Sequence, residues 1–264
     1  MRRPAPSQLV YSLVLMLVFV GCTDTSSPTG PGSDPSDPED GSPTAFNSDA
    51  APGSSAEAFL ADDQYTELKL EIDYMAGYEP TASALDSLQS ALKRHLDKTT
   101  ISIRPPDEIP AKDEAPYSAD AIRSLEDTHR DHYTEGQGET IWAYFLIVDG
   151  KFTTENVVGI AYYNTSMAFF GKTIEEISGG LTQPSQKQVE ATVFRHEFGH
   201  NLGLVNNGIP MQEGHHDKAN GAHCTNDQCV MYHAIETTDY FANVFDGSIP
   251  SFEQFCSADM EAQN

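Results

Sequence analysis

Alternating apolar and polar residues mark the first strand of the folded part of the chain. Leu68 to Tyr74 alternate in this way, which predicts a half-buried β-strand. Pro80-Thr81 then predicts the start of a helix. The helix that follows is predicted from leucines at helical spacing: Leu85, Leu88, Leu92 and Leu96.

The pattern continues with alternating strands and helices. Thr100 to Arg104 predicts a short strand, and Ser118 to about His132 a second helix. Ile141 to Val148 is apolar throughout, as expected of a central strand covered on both faces. Val157 to Tyr163 predicts a further strand, in which Gly159 marks a bulge or a close backbone approach. This order predicts an α/β or α+β fold, with helices packed on a mixed, twisted sheet.

The N-terminus has the pattern of an export signal. Arg2 and Arg3 precede the apolar run Leu9–Val20, which is too short for an ordinary membrane-spanning helix. Phe19 to Cys22 resembles a bacterial lipobox, in which the cysteine is acylated and becomes the first residue. The resemblance implies a signal peptide over residues 1–21 and a bilayer anchor at Cys22. The alternative is an ordinary signal peptide with a chance cysteine.

Residues 22–58 are rich in Ser, Pro, Gly and Asp, which predicts a disordered acidic tether. The folded domain is therefore expected over residues 59–264. The whole chain of 264 residues carries a formal net charge of −25. A field of this sign repels phosphate, so we expect no nucleic-acid partner.

The clearest chemical motif lies on a predicted helix. Ser185 and Gln188 form a capping-box pattern at its start, and Gly203 is placed to end it. Inside it, His196 and His200 are four residues apart and share one helix face, so both imidazoles can bind one Zn²⁺. Glu197 is then placed to take a proton from a zinc-bound water.

With Gly203 included, this motif resembles that of the metzincin zinc peptidases. Their third zinc ligand follows the glycine by three residues, where this chain has Asn206, a poor zinc ligand. The later run from His223 to Met231 is similar to the archaemetzincin branch, which implies His223 as third ligand and Met231 as the turn beneath the metal. This chain has 17 extra residues before His223.

The third zinc ligand stays open at this point, because the insertion offers rival side chains. His215 is the main alternative, since a His-x-Asp pair can supply a ligand together with its supporting carboxylate. The neighbouring His216 and Asp217 are weaker candidates.

The archaemetzincin resemblance also implies a second, structural zinc. Cys224 and Cys229 match its first two cysteines, and Cys256 with Asp259 matches the last pair, Asp replacing Cys. The alternative is a disulfide between two of the three cysteines in an oxidising compartment.

Smaller roles are predicted for three aromatic residues. In several metzincins a tyrosine two residues after the methionine supports the oxyanion, and Tyr232 or His233 is the counterpart here. Tyr163 and its strand are candidates for binding an extended peptide along a sheet edge.

The leading prediction is a surface-anchored zinc metallopeptidase of an exported bacterial lipoprotein, with peptide or protein substrates. Two alternatives remain: a non-catalytic zinc-binding structural lipoprotein, and a zinc hydrolase of a non-peptide substrate. Glu197 favours an enzyme, because a purely structural zinc site has no need of a general base.

Overall fold

One mixed sheet organises the protein in the computed structural model, which describes residues 45–112 and 116–263. The strands are β1 (Glu67–Met75), β2 (Thr100–Ile103), β3 (Asp107–Ile109), β4 (Thr140–Val148), β5 (Gly159–Tyr163) and β6 (Ser166–Phe170). The helices are α1 (Ala56–Leu60), α2 (Ala82–His95), α3 (Ala119–His129), α4 (Gly171–Ile177), α5 (Gln186–Asn201), α6 (Thr238–Asn243) and α7 (Gln254–Glu261), with a 3₁₀ helix at His233–Glu236. The predicted mixed sheet with packed helices is confirmed.

The sheet has the order β2-β1-β4-β6-β5, and β3 pairs with the far end of β1. All neighbours are parallel except β5, which runs antiparallel to β6 and forms an edge. Neither β3 nor β6 is predicted from the sequence. The interpretation of β1 as half-buried was also wrong. It is a central strand, and its polar residues Glu71 and Asp73 are buried within the fold.

Helices cover both faces of the sheet. Alternate residues of β4 divide between two cores: Phe145 faces the core that contains α2 and α5, whereas Tyr144 faces the core that contains α3. The larger core thus fixes α5 against the sheet, which matters because α5 carries the two histidines of the motif. Helix α3 ends at His129, three residues before the predicted limit, and Arg130 continues in extended backbone.

Residues 45–58 belong to the folded domain and not to the predicted tether. The amide Nδ2 of Asn164 donates to the carbonyl of Asn47 at 2.9 Å and to Ser55 Oγ at 2.6 Å. Ala56 is buried in the larger core. These contacts hold the segment along the end of β5, so the domain begins earlier than residue 59.

The signal peptide and Cys22 lie outside the described residues. Within the residues that are described, no helix combines the length and the apolar character needed to cross a bilayer.

Candidate metal centre

Local sequence signals build helix α5 as predicted. The backbone N–H of Ser185 donates to Gln188 Oε1 at 2.8 Å, which closes the capping box. The helix ends at Asn201, and Gly203 follows with φ +70°, a conformation that favours glycine. The helix buries almost its whole second half, including His196, which is fully buried.

Two glycines let other elements approach α5 closely. A Cβ on Gly159 of β5 would lie 2.8 Å from Val193 Cγ1 and 3.1 Å from the Cγ of Glu197. The predicted close approach at Gly159 is therefore confirmed. A Cβ on Gly199 would overlap the sulfur of Met231, so the predicted methionine packs directly against α5. These two contacts determine how closely α5 packs against the sheet and against the turn at Met231.

Four donor atoms converge on one point beside α5: an Nε2 from each of His196, His200 and His223, and Oε1 of Glu236. The Nε2 of His196 is 3.3 Å from those of His200 and His223. Oε1 of Glu236 is 3.5, 3.3 and 3.0 Å from the same three nitrogens in that order. Tetrahedral ligands about 2.0–2.1 Å from a zinc ion are about 3.3 Å apart, so these spacings fit one.

Backbone hydrogen bonds fix the tautomers of two of these histidines. Nδ1 of His196 lies 2.6 Å from the carbonyl of Val230, and Nδ1 of His223 lies 2.5 Å from that of Asn220. A carbonyl only accepts, so each Nδ1 carries the proton and each Nε2 presents a lone pair. Burial lowers the pKa of His196 to about 4, which keeps it neutral at pH 7. Lone pairs of two buried nitrogens that face each other at 3.3 Å suit a cation between them.

Glu197 lies beside the four donors and is not one of them. Its carboxylate is buried, and among the described residues its Oε1 has no hydrogen-bond partner. Burial and the charge of Glu236 raise its pKa well above the ordinary value, opposed by a hydrogen bond from the backbone of Ala161. A raised pKa and a free oxygen suit a group that exchanges a proton with water.

A cleft of about 390 Å³ opens onto this group. Gly159, Ile160 and Ala161 of the edge strand β5 line it, together with Ala51 and Pro52 from the start of the domain. Four residues of the metal centre also line it, namely Glu197, His200, His223 and Glu236. The cleft has the place that an extended chain would take beside an edge strand.

The structure separates the two rivals for third ligand. His223 joins the α5 histidines, whereas His215 lies in a second group with Cys224 and Cys256. Asn206, at the position of the simple motif, is exposed with φ +62°. His216 is hydrogen-bonded to the carbonyl of Gly221 at 2.8 Å, and Asp217 accepts from Asn220 Nδ2, so neither is among the four donors.

The second group is buried and contains His215, Cys224 and Cys256, and the buried Cys229 lies against it. Nδ1 of His215 is 3.3 Å from Cys224 Sγ and 3.9 Å from Cys256 Sγ, and the sulfurs of Cys229 and Cys256 are 3.5 Å apart. All three cysteines are free, so the alternative of a disulfide is not what the structure shows. Hydrogen bonds from the other two thiols lower the pKa of Cys224 far below that of a free thiol.

Asp259 supports this group through His215, a position different from the predicted one beside the sulfurs. Its Oδ2 lies 2.8 Å from Nε2 of His215, and its Oδ1 accepts the backbone N–H of Gln212 at 2.7 Å. A proton on Nε2 leaves Nδ1 free to face the sulfurs, in the arrangement of a metal-binding histidine and its supporting carboxylate.

The remaining predicted residues, Tyr232, His233 and Tyr163, are not among those that line the cleft. Nδ1 of His233 is 3.5 Å from Asp217. The ring of Tyr163 lies under the guanidinium of Arg123, 5.3 Å from it, on the face of the sheet covered by α3. The sheet edge near Gly159 lines the cleft, without this tyrosine.

Glu236 was not found from the sequence. It lies 40 residues after His196, just beyond the Met231 turn, and a single glutamate in that setting resembles any solvent-exposed acid. The one sequence signal was its position five residues after Met231, in the segment that follows the turn beneath the predicted metal.

Two solved structures are similar to this chain at low sequence identity. No protein family model matches the sequence. The archaemetzincin of Methanopyrus kandleri is similar over 77% of this chain and 98% of its own, at 16% identity and a TM-score of 0.49. The metalloproteinase-II of Bacteroides fragilis is similar over 79% of this chain and 60% of its own, at 15% identity and a TM-score of 0.38.

Proposed function

We propose that this protein is a zinc metallopeptidase that is exported and anchored to a membrane through an acylated Cys22. The observation that carries the catalytic part is the position of Glu197. Its buried carboxylate has an oxygen without a hydrogen-bond partner in the part of the chain that the structure describes, and it lines the same cleft as two of the three metal-centre histidines and the edge strand β5. A general base next to a metal-binding group, open to a substrate, supports hydrolysis.

The donor set suits Zn²⁺. Neutral imidazoles and a carboxylate are common zinc ligands, and the spacing of the donor atoms fits a tetrahedral ion. His196, His200 and His223 would hold the ion. When bound, Zn²⁺ supplies Lewis acidity, which polarises a carbonyl and makes water a stronger acid at neutral pH.

The chain's own residues then perform the proton transfers. Glu197 takes the proton from the attacking water and delivers it to the leaving amine. Its burial favours the protonated form between these two steps. The edge of β5 at Gly159 to Ala161 would align the substrate backbone in the cleft, since a strand edge offers backbone donors and acceptors to an extended peptide. This arrangement favours a peptide over a compact small molecule.

The second group is proposed to hold a structural zinc with three cysteines and one histidine. His215 takes the place of the fourth cysteine, and Asp259 orients it. Four protein ligands leave no open position, which is typical of structural sites. This zinc would join the insertion that contains His215 to helix α7, which contributes Cys256.

The test compares Glu197→Gln with a control, Glu175→Gln, which makes the same change at an exposed position of α4. Glutamine keeps the shape of Glu197 but takes up no proton at neutral pH. Zinc content should stay the same in both variants. Cleavage of casein and of a mixed peptide library, read by mass spectrometry, should fall at least ~10²-fold in Glu197→Gln only. Equal cleavage by Glu197→Gln and the parent would contradict the proposed mechanism.

Two other results would favour the alternatives. If the parent protein binds zinc at full occupancy but cleaves no peptide at any salt concentration, it is a zinc-binding or structural protein. Hydrolysis of small esters or amides that depends on Glu197, with no peptide cleavage, would indicate a zinc hydrolase with another substrate.

A further inference from the structure

We infer that Glu236 is a fourth protein ligand of the metal centre, and that its carboxylate occupies the cleft-facing coordination position until substrate displaces it. This inference rests on the proposed function, because it assumes that the three histidines hold a zinc ion. It concerns the resting state of the enzyme, in which the Glu236 side chain would fill the fourth coordination position of the ion until substrate binds.

The first support is the geometry of the donors. Oε1 of Glu236 lies 3.0 to 3.5 Å from each of the three histidine nitrogens, similar to the 3.3 Å that separates His196 Nε2 from the other two. A carboxylate that simply accepted a hydrogen bond would face one imidazole. An oxygen that lies 3.0 to 3.5 Å from three inward-facing nitrogens stands near the remaining corner of a tetrahedron.

The second support is the backbone that carries Glu236. Its carbonyl accepts the backbone N–H of Val158 at 2.9 Å, and the next residue, Thr237, pairs with Val157. The preceding Ile235 is fully buried. The residue is therefore fixed from both sides to the edge of the sheet, and only its side chain is free to swing.

The third support is the side from which Glu236 approaches. His196 is fully buried beneath the site, whereas the Glu236 side chain is 36% exposed and lines the cleft. The corner it occupies is thus the one that a substrate reaches first. Catalytic zinc sites keep one position for water or substrate, and structural sites have four protein ligands.

The site therefore combines four protein ligands, which is typical of a structural zinc, with a general base, which a structural zinc does not need. Glu197 keeps its buried, unpartnered oxygen next to the four donors. The two features would be compatible if Glu236 held a bound ion only in the resting state and gave up its position to substrate. The cleft then accommodates the displaced carboxylate, because Glu236 already lies at its wall.

The test measures metal binding as well as activity. Glu236→Gln is compared with Asp239→Asn, which removes one charge at an exposed position three residues further on. Chelator competition should show at least about tenfold weaker zinc binding in Glu236→Gln and unchanged binding in Asp239→Asn. In the cobalt-substituted proteins, acetohydroxamate should bind at least about tenfold more tightly to Glu236→Gln, because it no longer competes with the carboxylate.

A second measurement reads the coordination of the metal directly in the parent. Pulsed electron paramagnetic resonance of the cobalt form in D₂O should detect no directly bound water in the parent and should detect it after Glu236→Gln. Unchanged zinc affinity together with bound water in the parent would overturn the inference. That result would not affect the proposed peptide cleavage or its dependence on Glu197. A parent that cleaves no peptide but gives the expected spectra would contradict only the proposed peptidase function.

Discussion

His196 and Val230 are joined by a hydrogen bond of 2.6 Å from the imidazole Nδ1 to the backbone carbonyl. The bond connects α5 to the residue that immediately precedes Met231, and Met231 packs on Gly199 of the same helix. One turn of chain therefore both supports the helix from below and selects the tautomer that presents Nε2 to the metal.

The two metal groups should be separable by single substitutions. We expect two zinc ions per chain in the parent, and one in either His223→Ala or His215→Ala, because each histidine belongs to a different group. His223→Ala should lose hydrolysis, and His215→Ala should retain it while melting at a lower temperature. Zinc content by atomic absorption and melting curves provide the measurement. Loss of activity in His215→Ala with retained stability would reverse the assignment.

Gly199→Ala should destabilise the protein, although alanine stabilises a helix by up to about 1 kcal/mol relative to glycine. The added Cβ would overlap the sulfur of the fully buried Met231 and lie 3.1 Å from a ring carbon of Phe252. Overpacking of this kind costs about 1–3 kcal/mol. Urea unfolding checks the value.

The matched control is Gly214→Ala, whose Cβ would meet nothing within 4 Å. It should change the free energy of unfolding by less than about 0.5 kcal/mol. The double substitution Gly199→Ala with Met231→Ala should be less destabilised than the sum of the two single changes. Additive effects would mean that Met231 and Gly199 are not in contact.

Asp73 should make the stability of the protein depend on pH. Burial raises its pKa to about 6, helped by neighbouring carboxylates and opposed by a hydrogen bond from Tyr144. Since the folded pKa exceeds the unfolded value of about 3.8, this group destabilises the fold as pH rises through about 6. Asp73→Asn should therefore be more stable than the parent at pH 7–8, by up to about 3 kcal/mol.

This advantage should shrink towards pH 4, where the carboxyl is protonated in the folded parent. Melting curves between pH 4 and 8 provide the measurement, with Asp86→Asn, an exposed residue of α2, as the control. A gain in stability that is the same at pH 4 and pH 8 would show that the ionisation of Asp73 is not its cause.

Cys22→Ser should release the protein from membranes into the soluble fraction, because acylation of this cysteine is the proposed anchor. Labelling with an alkynyl fatty acid, followed by membrane fractionation, measures both properties. Ser26→Ala, in the same segment, is the control and should remain labelled. Membrane association and labelling that survive Cys22→Ser would contradict the lipoprotein prediction.

Short-range signals in the sequence were enough for much of the fold. The leucine periodicity placed α2, the capping box and Gly203 bounded α5, and the apolar run placed the central strand β4. Each depends on residues within a few turns or positions of one another, which is the range over which helix and strand geometry relates sequence to structure. The pairing of His196 and His200 on one face follows from the same geometry.

Tertiary structure alone decided which distant residues meet. The choice of His223 over His215, the approach of Glu236 and the support of His215 by Asp259 all join residues that are 13 to 44 positions apart. Such contacts depend on how loops close over the sheet, and residue spacing along a loop does not fix that path. The sequence therefore determined the helix that carries the motif, whereas the folding of two loops around it decided the full set of donors.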